Sequence, residues 1–358
     1  MQRKCLNYPV EFIDDSFGEA SPIAGLLQKL TSSEAPKVLI VADMNMVQRM
    51  QDLGAKIGRY VQAHNICLAG KPVVVNGGEK AKSDNLQSAL TIISAILEAK
   101  LGRNDIVLAI GGGSVLDVAG YAASQVRGGI KLVRMPTTPA AMVDAAFAEY
   151  AAVDSASVKD ALRVPSIPAA VVIDTTLALS VLDGVWRGGG VSELVRLSVA
   201  SDAALWKKIV KLLPDYIKRD TTAFKTLVEA AIAVRQKKGG TTFAEWTALR
   251  LEAMSGYKLP HGYAVAIGIY LNLNCAVEKG MMDAKVRDEV VEVLKSSGAL
   301  DGLGHSSHLL SQAESLALGV NAWKLSSEEL SLPTKIGVLT PVDDLTAEEV
   351  KKSIPSVG

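Results

Sequence analysis

Cysteine and histidine are scarce in this chain, and neither sign of charge is in excess. Of 358 residues three are cysteine, Cys5, Cys67 and Cys275, widely spaced and in no CxxC pair. That spacing argues against a disulfide framework or a thiolate zinc site, and they read as reduced packing residues. There are four histidines, His64, His261, His305 and His308, so an imidazole-based metal centre has to recruit carboxylates. Lys and Arg together number 38, as do Asp and Glu. No block of one sign stands out, so no nucleic acid or other polyanion is expected as a partner. Every apolar run is broken well short of the roughly 18 residues needed to cross a bilayer. The opening MQRKCLNYPVEFIDD carries no apolar secretory segment. The expectation is a soluble, cytoplasmic protein, without a membrane partner, whose ligands are small molecules.

At 358 residues the chain exceeds what one hydrophobic core usually holds, and two domains are expected. Up to about residue 175, short apolar runs alternate with helical patterns: KVLIVAD (37–43), KPVVV (71–75), DIVLAIGGG (105–113), KLVRMP (131–136) and AAVVID (169–174). Strands separated by helices predict parallel βαβ units, and continuously apolar strands predict a sheet covered on both faces. Beyond residue 175, apolar spacing of three and four takes over in SELVRLSVASDAALWKKIVKLL, TLVEAAIAVRQ and VRDEVVEVLKSSG. The fold class is therefore α/β: a Rossmann-like parallel-sheet domain over 1–175, then an all-helical domain over 176–358.

In DIVLAIGGGSVLDVAG a buried strand meets three glycines and then a helix. Such a turn lets backbone approach a ligand and offers the unpaired N–H groups of a helix start to a diphosphate. A dinucleotide fingerprint would have a third glycine where Leu116 stands, so an ordinary glycine-rich strand-to-helix turn remains an equal reading of this motif alone. Its surroundings favour the ligand. Asp43 ends one strand, NGGEK (76–80) follows another and PTT (136–138) a third, and in open α/β sheets the crevice lies beyond the carboxyl ends of the strands.

GGEKAKS, GGGSVLDVAGYAASQVRGG, MPTTPAAMVDA, RGGGVSELVRLS and EAMSGYKLPHGYAVAIG, in this order between about Val38 and Gly268, resemble the motifs of 3-dehydroquinate synthase and its sugar phosphate cyclase relatives. The resemblance implies a usually dimeric lyase that uses NAD and a divalent metal, zinc or cobalt. In that chemistry a substrate hydroxyl is oxidised transiently, phosphate is eliminated, the hydride returns and an aldol step closes a carbocycle. It places cofactor contacts at Asp43, Asn45, Glu79, Lys80, Gly112, Gly113, Ser114, Asp117, Thr137 and Thr138. On the substrate side it places Asp144, Arg196 in place of a lysine, Lys238 by a looser match, and Arg127, which in the family can reach a partner subunit's site. Its metal ligands fall on Glu193 and His261, and the third, a histidine in the family, falls on Glu245, sixteen residues before His261. Zinc accepts carboxylate oxygen, and an extra carboxylate favours harder ions such as manganese.

Other departures concern the substrate. Tyr150 stands where the family has a lysine, Tyr263 where it has a glutamate, Thr242 in place of an asparagine and Leu249 in place of a further histidine. Lys237, Lys238, Arg235 and the departing phosphate all remain open as the base. These changes predict a cyclase acting on a sugar phosphate other than the shikimate-pathway one. The alternatives are an NAD-dependent polyol or alcohol dehydrogenase and a catalytically silent homologue.

Overall fold

The computed structural model describes residues 7–155, 158–325 and 328–354. The chain divides into two compact units, Asn7–Val181 and the part from Leu182 onward.

The first unit is built on a sheet of seven strands: β1 (Val10–Phe12), β2 (Lys37–Asp43), β3 (Cys67–Leu68), β4 (Val73–Val75), β5 (Ile106–Gly111), β6 (Lys131–Pro136) and β9 (Ala170–Ile173). They run in the order β1-β9-β6-β5-β2-β3, β4 also pairing with β2, and every pairing is parallel. Side chains alternate across the strands. Val38, Ile40, Ala42, Ile106, Leu108, Ile110, Val133 and Met135 join one core with Leu27, Met46, Ile57 and Tyr60 from helices on that face. The intervening Leu39, Val41, Val107 and Ala109 are just as buried, on the face toward the helix Gly113–Gln125. Cover on both faces is why these strands lack polar alternation. An antiparallel hairpin, β7 (Tyr150–Ser155) and β8 (Val158–Pro165), stands outside the sheet. Arg134, fully buried on β6, reaches from the sheet to the chain just before and just after the hairpin. Its guanidinium donates to Ala148 O at 2.6 Å and Ser166 O at 2.8 Å.

The second unit is mainly helical, with one antiparallel ribbon, β10 (Ser331–Lys335) and β11 (Val338–Pro341). Its axis is the helix His261–Glu278, buried on most of its circumference from Gly262 to Ala276, as expected of a helix apolar all round. Against it pack the helices Glu245–Met254 and Ser192–Ser201 and a π-helical segment, Val185–Val191. Trp186 anchors that segment. It is fully buried, stacks on Tyr216 with ring centres 4.8 Å apart, and donates its indole N–H to Tyr216 O at 2.9 Å. The Tyr216 hydroxyl returns a bond to Trp186 O at 2.8 Å. Of the cysteines, Cys275 is a buried packing residue as expected, Cys67 is exposed, and Cys5 lies outside the described residues.

Replacing Trp186 by alanine removes the ring and the bond that its indole N–H donates to Tyr216 O. An unfolding cost of about 3–5 kcal/mol is expected, seen as a fall in the urea midpoint.

Candidate functional site

In the first unit the ends of β2, β5 and β6 converge with the segment after β4. Asp43 caps the helix Met44–Arg49, its Oδ1 accepting from Asn45 N at 2.8 Å, while Oδ2 lies 3.4 Å from Gly112 N at the mouth of the glycine turn. A Cβ on Gly77 would fall 2.2 Å from both Asp43 Oδ1 and the Asn45 amide, so this contact requires glycine. Thr137 N donates to Gly111 O at 3.0 Å, Thr138 caps the helix Pro139–Val143, and the Thr137 hydroxyl is buried without a hydrogen-bond partner among the described residues. Gly112 caps the helix Gly113–Gln125, whose thirteen residues give it a positive end aimed along the turn. Asp43, Asn45, Gly112, Gly113, Thr137 and Thr138 are thus gathered at one edge of the sheet.

Glu79, Ser114 and Asp117 meet in a buried ionic cluster that sequence reasoning did not foresee. Glu79 pairs with Lys159 and accepts from Ser114 Oγ at 3.5 Å. Lys82, 4 % exposed, donates to Asp117 at 2.9 Å and pairs with Asp160. Lys80, the expected lysine, is exposed. Lys82 is three residues beyond Glu79, on the turn Glu79–Ala81 and its cap, and that spacing was the available signal. The hairpin joins this cluster through Asp154 N to Lys82 O at 3.1 Å and Asp160 N to Asp154 Oδ1 at 2.9 Å. Burial opposes charge on Lys82, but Asp117 and Asp160 outweigh it and raise its pKa well above the ordinary value. Burial also raises Asp154, with Glu79 repelling it, to about 6. Its Oδ2 is buried with no partner among the described residues.

Arg127 lies elsewhere. It follows the far end of the helix Gly113–Gln125 and is exposed, about 20 Å along the axis from the glycine turn at 1.5 Å per residue. Asp144 closes the helix Pro139–Val143, its N–H donating to Ala140 O at 2.9 Å, and is half-buried.

In the second unit Glu193 and His261 meet. His261 Nε2 lies 3.3 Å from Glu193 Oε1, and Nδ1 lies 3.3 Å from Glu252, a buried carboxylate not foreseen in the sequence. Glu252 is seven residues beyond Glu245, two helical turns along the same face of the helix Glu245–Met254. The backbone brings the pair together. A Cβ on Gly262 would fall 2.4 Å from Gly189 Cα, so the two chain segments touch without side chains between them. Ser192 Oγ ties them by donating to Gly262 O at 2.8 Å. The ring of Tyr263 fills the space beside Gly184, Gly188 and Gly302. Desolvation opposes charge on His261, but Glu252 and Glu193 outweigh it and raise its pKa to about 10.

Arg196, 3 % exposed, donates its Nε to Glu193 Oε2 at 2.8 Å, and its other end lies 3.6 Å from Glu245. Glu245, expected as the third metal ligand, therefore faces the guanidinium. Lys238 ends the helix Thr221–Lys238 and pairs with Asp202 at 3.2 Å. Asp202 caps the far end of the helix that Ser192 and Glu193 begin, so Lys238 is not brought to the Glu193–His261 pair.

Family models describing the 3-dehydroquinate synthase N-terminal and C-terminal regions match residues 72–184 and 242–307. A 2-epi-valiolone synthase from Actinosynnema mirum is 30 % identical over 295 residues, covering 78 % of this chain and 76 % of that protein. The chain belongs to the 3-dehydroquinate synthase family. It is thereby a member of the sugar phosphate cyclase superfamily, an enzyme of the carbon–oxygen lyase class. The 3-dehydroquinate synthase of Saccharolobus solfataricus is 23 % identical, over 87 % of this chain and 93 % of that one. A 2-epi-5-epi-valiolone synthase from Streptomyces hygroscopicus subsp. jinggangensis, solved with NAD+ and Zn2+ bound, shares the fold at a TM-score of 0.83 and 20 % identity, covering 99 % of this chain and 97 % of that chain.

Both groups that the family implies suit the residues present. At the sheet edge a glycine-only approach, a helix start and the orphaned Thr137 hydroxyl fit a dinucleotide. In the second unit the carboxylates of Glu193, Glu245 and Glu252 are gathered about Arg196 and His261. His261 Nε2 and Glu193 Oε1 face each other, with Glu252 behind Nδ1 as the outer partner that orients a metal-binding imidazole. Among the described residues no three His, Cys, Asp or Glu side chains are grouped so as to hold an ion, so the fit is to a centre in which Glu193 and His261 supply the protein donors.

Gly262→Ala is expected to separate Glu193 from His261 and to cost about 1–3 kcal/mol from overpacking. Thermal unfolding and Co2+ titration together measure both effects. For Asp154, whose folded pKa lies above the usual 3.8 at about 6, the native state holds the proton more tightly, so its contribution to stability falls as pH rises from about 4 to 6. Asp154→Asn is therefore expected to stabilise the cofactor-free chain more at pH 8 than at pH 4, as read from melting temperatures at the two pH values.

Proposed function

We propose that this chain is an NAD- and divalent-metal-dependent cyclase that eliminates phosphate from a sugar phosphate and closes a carbocycle, on a substrate other than the heptulosonate phosphate of 3-dehydroquinate synthase. The observation that carries the reading is the 3.3 Å approach of Glu193 Oε1 to His261 Nε2, backed by Glu252. When bound, NAD supplies a reversible hydride acceptor and the metal a Lewis acid that polarises a substrate oxygen. The choice of zinc or cobalt is supported by the zinc bound in the valiolone synthase relative and by the cobalt in a 2-deoxy-scyllo-inosose synthase of the same fold.

The rest falls to the chain's own side chains. Asp43 would accept hydrogen bonds from ribose hydroxyls, and the N–H groups of Gly112 and Gly113 would receive the diphosphate. Lys82 and Lys159 hold Glu79, Asp117 and Asp160 in place, so the wall of the cofactor site is rigid. Glu252 fixes the His261 ring through Nδ1 and leaves Nε2 directed at Glu193. Arg196 keeps a permanent positive charge beside them, where charge developing on a substrate oxygen or on the leaving phosphate is stabilised. With Lys238 held by Asp202, the departing phosphate is the base we favour, and it carries the proton away as it leaves. Tyr150, 52 % exposed at the start of β7, and Tyr263, packed against glycines, stand where the family's substrate-contacting lysine and its glutamate would be, which supports a changed substrate.

Further parts of the proposal are a homodimer, in which exposed Arg127 serves the partner's site, and a cytoplasmic location. Among the described residues no helix is long and apolar enough to cross a membrane.

The test is phosphate release from a panel of hexose and heptulose phosphates with NAD and Zn2+ or Co2+. Turnover without net NADH is expected, reduced about 100-fold or more in His261→Ala. Brisk phosphate release from the heptulosonate phosphate would overturn the substrate assignment, and NADH accumulating with turnover of polyols would make the chain a dehydrogenase instead.

A further inference from the structure

The hairpin of β7 and β8 meets the wall of the expected cofactor site at Asp154, a residue of β7 that is 4 % exposed. Its N–H donates to Lys82 O at 3.1 Å and its Oδ1 accepts from Asp160 N at 2.9 Å, so backbone holds it from both sides. Oδ2 is buried, and no donor among the described residues reaches it. The Glu79 side chain lies within hydrogen-bonding reach of this carboxyl. Two ionised carboxylates only accept, and they make no bond with each other. One proton on Asp154 turns the contact into an O–H donated to Glu79, and gives the buried carboxyl the partner that such a group needs. Glu79 is the member that stays ionised: burial opposes its charge, but Lys159 and Lys82 outweigh burial and lower its pKa. The other charged groups of the cluster face one another. Lys82 pairs with Asp117 on the helix Gly113–Gln125 and with Asp160 on β8, Arg163 lies 3.9 Å from Asp160, and Arg134 acts on Asp117 from the sheet.

We propose that Asp154 is a positioning residue of the cofactor site that acts as a hydrogen-bond donor, holding Glu79 by a proton that it keeps when NAD is bound and sheds at higher pH when NAD is absent. The proposal rests on the cofactor half of the proposed function, in which Glu79 belongs to the wall that NAD meets. With the proton in place, the hairpin and the turn Glu79–Ala81 are joined by a side-chain bond as well as by the backbone contact to Lys82. Without it, two like charges face each other where water does not screen them, and the hairpin and the turn are pushed apart. A dinucleotide brings the charge of its diphosphate to the helix start and excludes water from the same wall. Both effects oppose a second carboxylate charge beside Glu79. Cofactor binding therefore takes up a proton, and by linkage the proton strengthens cofactor binding.

The test is NAD binding by calorimetry between about pH 5.5 and about pH 8, the range that brackets the Asp154 titration, in buffers of differing ionisation enthalpy. The proteins are the wild type, Asp154→Asn and Asp154→Ala, each checked for folding by thermal unfolding at both ends of the range. The wild type is expected to take up protons as NAD binds and to weaken about fivefold or more toward the upper pH, the ordinary size of a coupling between two sites. Asp154→Asn keeps a donor for Glu79 and an acceptor for Asp160 N at every pH. It is expected to bind with the low-pH strength of the wild type throughout, without that proton uptake. Asp154→Ala has no donor and is expected to bind about fivefold or more weakly than Asp154→Asn at every pH. Wild-type affinity that is flat with pH, or a pH dependence that survives in Asp154→Asn, would overturn the proposal. An alanine variant as tight as the asparagine one would show that the carboxyl acts through its charge alone and would overturn the donor role. The pH profiles of the wild type and Asp154→Asn decide the matter if the alanine variant does not fold. Failure of NAD to bind any of the proteins at any pH would instead refute the cofactor half of the proposed function, and the proposal with it.

Discussion

The meeting of Glu193 and His261 in the second unit depends on a contact between two backbones. Glu193 and His261 are sixty-eight residues apart in the chain, and they meet because Gly189 and Gly262 approach with no side chain between them. Ser192 ties the approach and Trp186 anchors the segment that leads into it. Side chains alone would not hold this geometry. A carboxylate and an imidazole on separate helices lose rotamer freedom when fixed at one point, and here the loss is met by the packing of the helices that carry them. The outer groups complete the arrangement, Glu252 on one nitrogen of the ring and Arg196 on the second oxygen of Glu193.

The two units solve the same electrostatic problem with opposite means. In the first, buried lysines neutralise a group of carboxylates and leave Asp154 with the weakest compensation. In the second, the guanidinium of Arg196 spans Glu193 and Glu245, and the imidazole of His261 lies between Glu193 and Glu252. Burial makes both arrangements costly to disturb, because removing one member leaves a charge without a partner.

Much of the fold was legible in the sequence for a physical reason. Lys37–Asp43, Ile106–Gly111, Lys131–Pro136 and Ala170–Ile173 are covered on both faces and so spell continuous apolar runs. Strand β3 has two residues, and β8 is largely exposed along its length, so neither leaves a periodic signal. At the site, the glycine turn, Asp43, Glu193 and His261 carry their own local marks. Lys82 and Glu252 do not, since their roles come from partners thirty-five and nine residues away, Asp117 and His261. Glu245 was visible as a departure from the family, but not its place beside Arg196, because a one-dimensional pattern does not say which side chains of separate helices will meet.

The π-helical turn at Val185–Val191 has a consequence for how this lobe tolerates insertions and deletions. A π turn is an α-helix with one residue too many, and each added residue advances every later position by about 100° around the axis. The bearing of Glu193 is therefore set by how many residues precede it as much as by what they are. Shortening that stretch by a single position, with every side chain of the later helix kept, would swing the carboxylate round to another side of its own helix. Length there is as constrained as identity.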